Sequence, residues 1–193
     1  MRKWLGLMVL VALGAIPALA QDEVHSVEVG GGYTLRSYNN PQGPDRLYMN
    51  GWDGMADYML FWKWLSVAGQ ADGTYNNDGA NGKTSVYSAM AGPQLYPFGH
   101  RKLTVYGQAL FGGGYTRFTL PSAGGYPKTT FSSHAFAWQV GAGVDYAWKP
   151  NWSIRVIQFD YEDTRFFQAN PSQGNYKFSV GIMYRFGKLK RAR

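Results

Sequence analysis

The side chains of this sequence that could carry out acid–base chemistry recur at alternate positions, between small or apolar residues. Two carboxylates held together away from water can exchange protons with a substrate or relay them. The same alternation can instead place the charges inside a sheet, where each must be paired or hydrogen-bonded. The acids are Glu28, Asp53, Asp57, Asp72, Asp145 and Asp160, and the bases are Arg36, Arg155, Lys177 and Arg185.

We interpret this set as a structural network, with a catalytic or proton-conducting site as the alternative. The bases and several glutamines between them supply enough partners to satisfy the acids. The glutamines are Gln70, Gln94, Gln108, Gln139 and Gln158. The sequence therefore predicts an interior polar network that includes Glu28, Asp57, Asp145, Arg155, Asp160 and Arg185.

The other motifs that could bind a cofactor or metal do not meet their requirements. Gly82-Lys83-Thr84 resembles the end of a phosphate-binding loop, but Asn77 stands where that loop needs a glycine. The three histidines are scattered without metal-ligand spacing, and the chain has no cysteine. We expect no catalytic residue, no cofactor and no metal site.

The elements that position the charges are strands, as residues 176–186 illustrate. Phe178, Val180, Ile182, Tyr184 and Phe186 alternate with residues that are mostly polar, small or charged. A period of two indicates a β-strand with two unlike faces. About eleven residues is also the length of a tilted strand that crosses a bilayer.

Seven further segments repeat this alternation, which gives eight strands. They run approximately over residues 26–36, 52–60, 65–75, 86–96, 103–118, 135–146, 152–166 and 176–186. Pro93 predicts an irregularity in the fourth strand, and the consecutive apolar residues Val156 and Ile157 predict a β-bulge in the seventh. The connections alternate between short ones and long ones, the long ones at 38–50, 76–85, 118–134 and 167–175.

This pattern predicts an all-β fold, an eight-stranded antiparallel up-and-down transmembrane β-barrel. Short turns would face the periplasm and long loops the outside. The apolar faces would meet lipid, and an eight-stranded interior is only wide enough for side chains, which predicts a polar plug rather than a channel. Aromatic residues make up 17% of the chain and charged residues only 16%, which is unusual for a soluble domain.

Tryptophans cluster near the predicted strand ends. A membrane girdle is our interpretation, since amphipathic rings collect at the membrane–water interface. A sugar- or lipid-binding platform is the alternative. The girdle residues are Trp52, Trp62, Trp64, Trp138, Trp148 and Trp152.

The two ends of the chain are expected to lie outside the barrel. Residues 1–20 have a basic start, an apolar run and the cleavage signal Ala18-Leu19-Ala20, which predicts a cleaved signal peptide. The barrel would occupy residues 21–187 and a basic C-terminal tail residues 188–193. Much of the formal net charge of +7 lies in that tail, which could contact lipopolysaccharide phosphate. An exported protein is not expected to bind nucleic acid.

Three segments resemble the outer membrane protein β-barrel domain family, which includes OmpA, OmpX and opacity-like barrels. They are VEVGGGYTLR at the first strand, GAGVDYAWKPNWSIRV across a strand–turn–strand unit, and the closing VGIMYRF. The resemblance implies Sec export and insertion by the outer-membrane assembly machinery. That machinery reads a C-terminal strand ending in an aromatic residue, which Phe186 resembles, although seven residues follow it here.

These observations favour a non-enzymatic, monomeric outer-membrane protein that contacts membrane lipid and lipopolysaccharide and acts in adhesion or envelope integrity. A lipid-modifying enzyme would need a Ser/His or His/Asp group near the outer rim, where His134 is the histidine available. A narrow pore and a soluble exported barrel that binds an apolar ligand are further alternatives.

Overall fold

A computed structural model of the chain describes residues 25–39, 46–60, 62–78, 82–122, 127–166 and 173–187. These residues form eight strands. Their bounds are β1 Val27–Asn39, β2 Arg46–Met59, β3 Leu65–Asp78, β4 Gly82–Leu95, β5 Leu103–Leu120, β6 Thr129–Lys149, β7 Trp152–Thr164 and β8 Gln173–Phe186. In the described ranges there is no helix long and apolar enough to cross a membrane.

The strands close into one barrel in which each pairs with its sequence neighbours and β8 pairs with β1. Every pair is antiparallel, and the closing seam runs from Val27 opposite Phe186 to Ser37 opposite Tyr176. Closure leaves no free sheet edge, which matters where no water can satisfy backbone groups. The predicted eight-stranded up-and-down barrel is confirmed.

Both predicted irregularities coincide with features of the ladders. The register between β7 and β8 shifts between Arg155 and Gln158, which confirms the bulge at Ile157. At Pro93 the pairing of β4 with β5 is interrupted between Ala91 and Gln94, although the register is the same on both sides. Proline has no N–H to donate, so the ladder loses a bond without slipping.

The predicted loops were too long, because several polar segments are strand. The connection between β3 and β4 spans only residues 79–81, whereas the turn between β4 and β5 spans 96–102. Lys83 and Thr84, which we assigned to a loop, pair with Asn77 and Asn76. We call the end with connections 40–45, 79–81, 121–128 and 165–172 the loop end, and the opposite end the turn end.

The two faces of the barrel wall have opposite character. Side chains on the inner face are mostly polar, small or methionine, with larger apolar or aromatic residues such as Leu110 and Phe166 among them, and almost all are buried. The outer face exposes large apolar and aromatic side chains on every strand, for example Val180 and Ile182 on β8. This distribution contradicts the alternative of a soluble barrel with an apolar interior. The predicted signal peptide and basic tail lie outside the described residues.

Candidate functional site: the charged interior and the cationic surface

An ion-pair network fills the interior toward the loop end. The guanidinium Nη2 of Arg36 lies 2.5 Å from Asp72 Oδ2 and 3.0 Å from Glu162 Oε2. The Nζ of Lys177 donates to Asp72 Oδ1 at 2.7 Å and to Gln139 Oε1 at 2.7 Å. All four charged side chains are fully buried. The contacts join β1, β3, β6, β7 and β8 across the barrel.

A layer of amides and carboxylates follows in the middle of the interior. Gln70 donates to Asp53 and accepts from Gln139 at 2.7 Å. Asp160 accepts from Gln108 at 2.9 Å and from Gln158 at 2.7 Å. Among the described side chains, no cation lies within ion-pair distance of Asp53 or Asp160, so neutral amides satisfy these two carboxylates.

Two further ion pairs occupy the turn end. Arg155 makes a bidentate contact with Asp145, through Nε at 3.0 Å and Nη2 at 3.2 Å. The Nε of Arg185 lies 2.8 Å from Glu28 Oε1, on the neighbouring strand. Tyr96 donates its hydroxyl to Asp57, which tethers that carboxylate.

Apolar clusters close both ends of this polar column. At the loop end, Tyr38, Met49, Val86 and Phe166 pack together and are buried. At the turn end, Met59, Tyr96 and Tyr106 do the same. The polar side chains of the interior therefore lie between two apolar clusters.

All six predicted members of the interior network lie inside the barrel. Glu28 pairs with Arg185 and Asp145 with Arg155, whereas Asp57 and Asp160 contact a hydroxyl and amides. They do not form one cluster. Arg155 donates to Gln158 at 2.6 Å and Gln158 donates to Asp160 at 2.7 Å, which joins the Arg155–Asp145 pair to the amide layer, whereas Glu28 and Arg185 form a pair of their own. Sequence reasoning missed Glu162 in the hub around Asp72, although it continues the alternation of Gln158 and Asp160 and could have been found by it.

Charge is segregated between the inside and the outside of the barrel. Eight carboxylates are described with their side chains, and all eight are buried. Seven of them lie in the interior together with four basic residues, whereas Asp163 is on the outer face of β7, opposite Trp138 on β6. The other described basic residues lie on the surface, exposed or half-buried, and Asp163 is the one described carboxylate on the same outer face. Those at the loop end are Arg46, Lys83, Arg117, Lys128 and Arg165, and those at the turn end are Lys63, Arg101, Lys102 and Lys149.

The predicted girdle tryptophans lie on the outer surface in two groups. Trp62 stacks on Trp64 with ring centroids 5.6 Å apart, and Trp152 packs edge-on against Tyr184 at 4.9 Å. These residues and Trp148 lie at the turn end. Trp52 and Trp138 lie farther along the wall, and Trp138 is half-buried against Tyr161.

The histidines do not assemble a metal or catalytic centre. Among the described residues, no group of three or more His, Asp or Glu side chains could hold a metal ion. His134 lies outside the wall, 4.6 Å from the ring of Tyr115. His100, in the turn after β4, packs on Tyr96 at 4.2 Å, and burial lowers its pKa to about 4, with the positive charge of Arg185 acting in the same direction.

A closed eight-stranded barrel with an apolar outer face and a charged inner face defines a class of outer-membrane protein. The family described as outer membrane protein beta-barrel domain matches residues 6–186. This chain belongs to that family, which places it in the outer membrane. No curated protein matches the chain.

Solved structures of other proteins share the fold. The attachment invasion locus protein Ail of Yersinia pestis is 22% identical, with a TM-score of 0.62 over 84% of this chain and 99% of that one. Neisserial surface protein A is 16% identical, with a TM-score of 0.67 over 83% and 97%. A second Ail structure, in complex with the heparin analogue sucrose octasulfate, is 20% identical, with a TM-score of 0.57 over 86% and 100%. At these sequence identities the similarity shows a shared fold and nothing further.

Proposed function

We propose that this protein is a non-enzymatic outer-membrane barrel that attaches the cell surface to anionic polymers through the cations of its loop end. The observation that carries the proposal is the segregation of charge. Because seven of the eight described carboxylates are buried inside and only Asp163 is on the outer face, the described side chains give the loop end a cationic excess, carried by Arg46, Lys83, Arg117, Lys128 and Arg165. A surface field of one sign raises the local concentration and association rate of a polyanion.

The structural neighbours agree with an attachment role. One of them is named as an attachment protein and was solved with a heparin analogue, which is a sulfated sugar. Guanidinium and ammonium groups bind sulfate and phosphate oxygens through charge-assisted hydrogen bonds. For this chain we therefore favour adhesion to sulfated or phosphorylated polysaccharide, with the loop end outside the cell.

Absence of catalysis is part of the proposal. His134 lies on the outer wall, whereas Asp72 and Ser88, which lie behind that part of the wall, are hydrogen-bonded to each other at 2.6 Å and to Arg36. A catalytic base or acid must reach the proton it transfers within a hydrogen-bond distance. An interior carboxylate used in this way would have to leave the ion pairs that neutralise it.

We also propose that the interior is a plug and that the barrel does not conduct. The ion-pair hub, the amide layer and the two apolar closures support this, since each crosses the barrel. The expected result in a planar bilayer is no steady single-channel current from the wild-type protein. A reproducible current that requires folded protein would favour the narrow pore instead.

The proposal has three further parts. The chain is exported by the Sec pathway, the assembly machinery recognises β8, and the protein is a monomer in lipid. Phe186 is the last residue of β8 and lies opposite Val27 at the closing seam, where an assembly signal would act. Replacement of Phe186 by Ala should reduce insertion into the outer membrane. Periplasmic accumulation of the variant is the expected readout.

Whole cells provide the test of attachment, because only the outer end of the barrel is accessible to an added polymer. Fluorescent heparin binding is measured on cells that express the wild-type protein or one of two variants with equal charge changes. One replaces Lys83, Arg117, Lys128 and Arg165 by Gln, and the other replaces Lys63, Arg101, Lys102 and Lys149 by Gln. The first should lose most of the salt-sensitive binding and the second should retain it.

Two results would contradict the proposal. Equal heparin binding by the wild-type protein and the loop-end variant would show that the loop-end cations do not bind the polymer. Loss of binding in the turn-end variant alone would show that the barrel has the opposite orientation. Heat-modifiability on gels confirms that each variant is folded before binding is compared.

A further inference from the structure

The lipid-facing surface of the barrel is different on its two sides. On β7, β8 and β1 it carries large side chains such as Phe159, Phe178 and Leu35. Across β2, β3 and β4 it carries only glycine and alanine at six neighbouring positions. These positions, which we call the trough, are Gly54, Ala56, Gly69, Ala71, Ala89 and Ala91.

The trough is a shallow, open depression in the outer wall. One hollow, of about 700 Å³, is lined by the trough residues, by Phe111 and by the intervening residues Met55, Gln70 and Met90. A second hollow, of about 580 Å³, continues from Ala89 toward the loop end between Trp52, Tyr87, Tyr115 and Phe136. Ala89 lines both hollows, so they adjoin, and we call the two together the groove.

Aromatic rings with polar groups border the groove where it approaches the loop end. Tyr87 stacks on Tyr115 with centroids 6.2 Å apart, and His134 packs on Tyr115 at 4.6 Å. The indole N–H of Trp52 donates to the hydroxyl of Tyr75 at 3.3 Å. Such rings are amphipathic and suit the boundary between an acyl chain and a sugar or headgroup.

Basic and hydroxyl side chains continue the same surface beyond the rings. Arg117 follows Tyr115 by two residues on one face of β5, about 7 Å farther along the strand. It lies opposite Ser85 on β4 and Ser132 on β6. Lys83 follows on the same face of β4, and no described carboxylate is on the surface nearby. From the membrane outward, the groove is therefore apolar, then aromatic, then cationic.

This order of chemistry points to one kind of occupant. We propose that the trough binds an acyl chain of lipid A, the phosphorylated glycolipid of the outer leaflet, with a phosphate held by Arg117. Small residues let the chain approach the wall closely, and the rings at the groove mouth contact the sugar. This inference specifies how the barrel contacts lipopolysaccharide. It rests on the proposed orientation, in which the loop end lies outside the cell.

Charge argues against a second copy of the chain in the same place. Two barrels side by side in one membrane have the same orientation, so a symmetric contact through the trough would bring Arg117 and Lys83 of both copies together. A zwitterionic phospholipid would offer Arg117 a phosphate but no net negative charge. An anionic glycolipid matches both the cations and the hydroxyls at the groove mouth.

The test measures lipid A retained by the full-length protein after extraction from outer membranes in mild detergent, by native mass spectrometry. Replacement of Ala89 by Leu fills the groove, and replacement of Arg117 by Gln removes the phosphate contact. Matched controls are Ala142→Leu, at an exposed alanine on β6, and Lys149→Gln at the turn end. Each groove variant should lower lipid A occupancy about tenfold, and each control should match the wild-type protein.

Three outcomes would overturn the inference: unchanged lipid A on the groove variants, phospholipid in place of lipid A on the wild-type protein, or a wild-type dimer that Ala89→Leu dissociates. Heat-modifiability verifies that Ala89→Leu folds, and Arg117→Gln, at an exposed position, provides the second variant. Heparin binding by cells with Ala89→Leu should be normal. Failure of the groove site is thereby distinguished from failure of the attachment proposal.

Discussion

Arg36 and Asp72 form an ion pair of 2.5 Å across the barrel interior, between strands that are not neighbours. β2 separates β1 from β3, so this contact depends on the curvature of the sheet across three strands and not on one pair of strands. Asp72 also accepts from Lys177 at 2.7 Å, so it contacts both buried cations of the hub, which Glu162 also contacts. A buried charge that loses its partner lowers the stability of the fold. We therefore expect the barrel to be more sensitive to replacement of Asp72 than of the other described members of the network.

Replacement of Asp72 by Asn should lower the free energy of unfolding by about 3–5 kcal/mol, because the shape is conserved while two cations lose a counter-charge. Urea-induced unfolding in lipid vesicles measures the difference. Asp53→Asn is the matched control: Asp53 is also buried, but it accepts from Gln70 and pairs with no described cation. The Asp53→Asn replacement should lower the free energy of unfolding by roughly 1 kcal/mol. Equal costs at the two positions would contradict the assignment of Asp72 as the hub.

Phe166 and Gly114 lie close together inside the loop end, so the effects of replacing them on stability should be coupled. A Cβ added at Gly114 would lie 2.7 Å from the ring of Phe166, which is fully buried. Gly114→Ala should therefore destabilise the barrel by about 1–3 kcal/mol through overpacking. In the Phe166→Leu background, where the ring is absent, the same change should cost less. A double-mutant cycle in vesicles measures the coupling, and purely additive effects would mean that Phe166 does not fill the mouth of the barrel.

The girdle at the turn end can be tested through Trp152 and Tyr184, whose rings meet edge-on at 4.9 Å. Aromatic pairs contribute about 0.5–1.5 kcal/mol beyond the area they bury. A cycle with Trp152→Leu and Tyr184→Leu should give a coupling energy in this range. Trp148→Leu combined with Tyr184→Leu serves as the comparison and should be additive. A coupling energy near zero for Trp152 and Tyr184 would contradict this prediction and would mean that Trp152 contacts the membrane–water interface independently of Tyr184.

Strand alternation was enough to predict which side chains face inward, because closure leaves only two faces. The outer parts of the strands were missed for a physical reason. Asn76, Lys83 and Thr84 have the composition of a loop, yet they pair as strand. Backbone pairing satisfies their polar groups outside the apolar band, where side chains need not be hydrophobic.

The partners within the interior could not be predicted from alternation. Glu28 and Arg185 meet across the seam that closes the barrel, at opposite ends of the chain. Whether two inward side chains meet depends on strand tilt and shear, which set the stagger around the barrel. The groove beside Ala89 needed the same information, since its residues come from strands whose register alone brings the small side chains together.

Acidification should destabilise the barrel in part through His100 in the turn after β4. Its pKa is lowered to about 4 by burial, aided by Arg185 and His25, whereas an exposed histidine titrates near 6.5. Between these values the unfolded chain binds a proton that the folded barrel excludes, so this contribution to stability is complete above pH 6.5 and is lost as the pH falls toward 4. The difference in unfolding free energy between the wild-type protein and His100→Gln should therefore change by up to about 3 kcal/mol over that window. Urea unfolding in vesicles at several pH values measures it, with His134→Gln, at an exposed position, as a control that should follow the wild-type curve. Parallel curves for wild-type and His100→Gln would show that the imidazole titrates normally in the folded state.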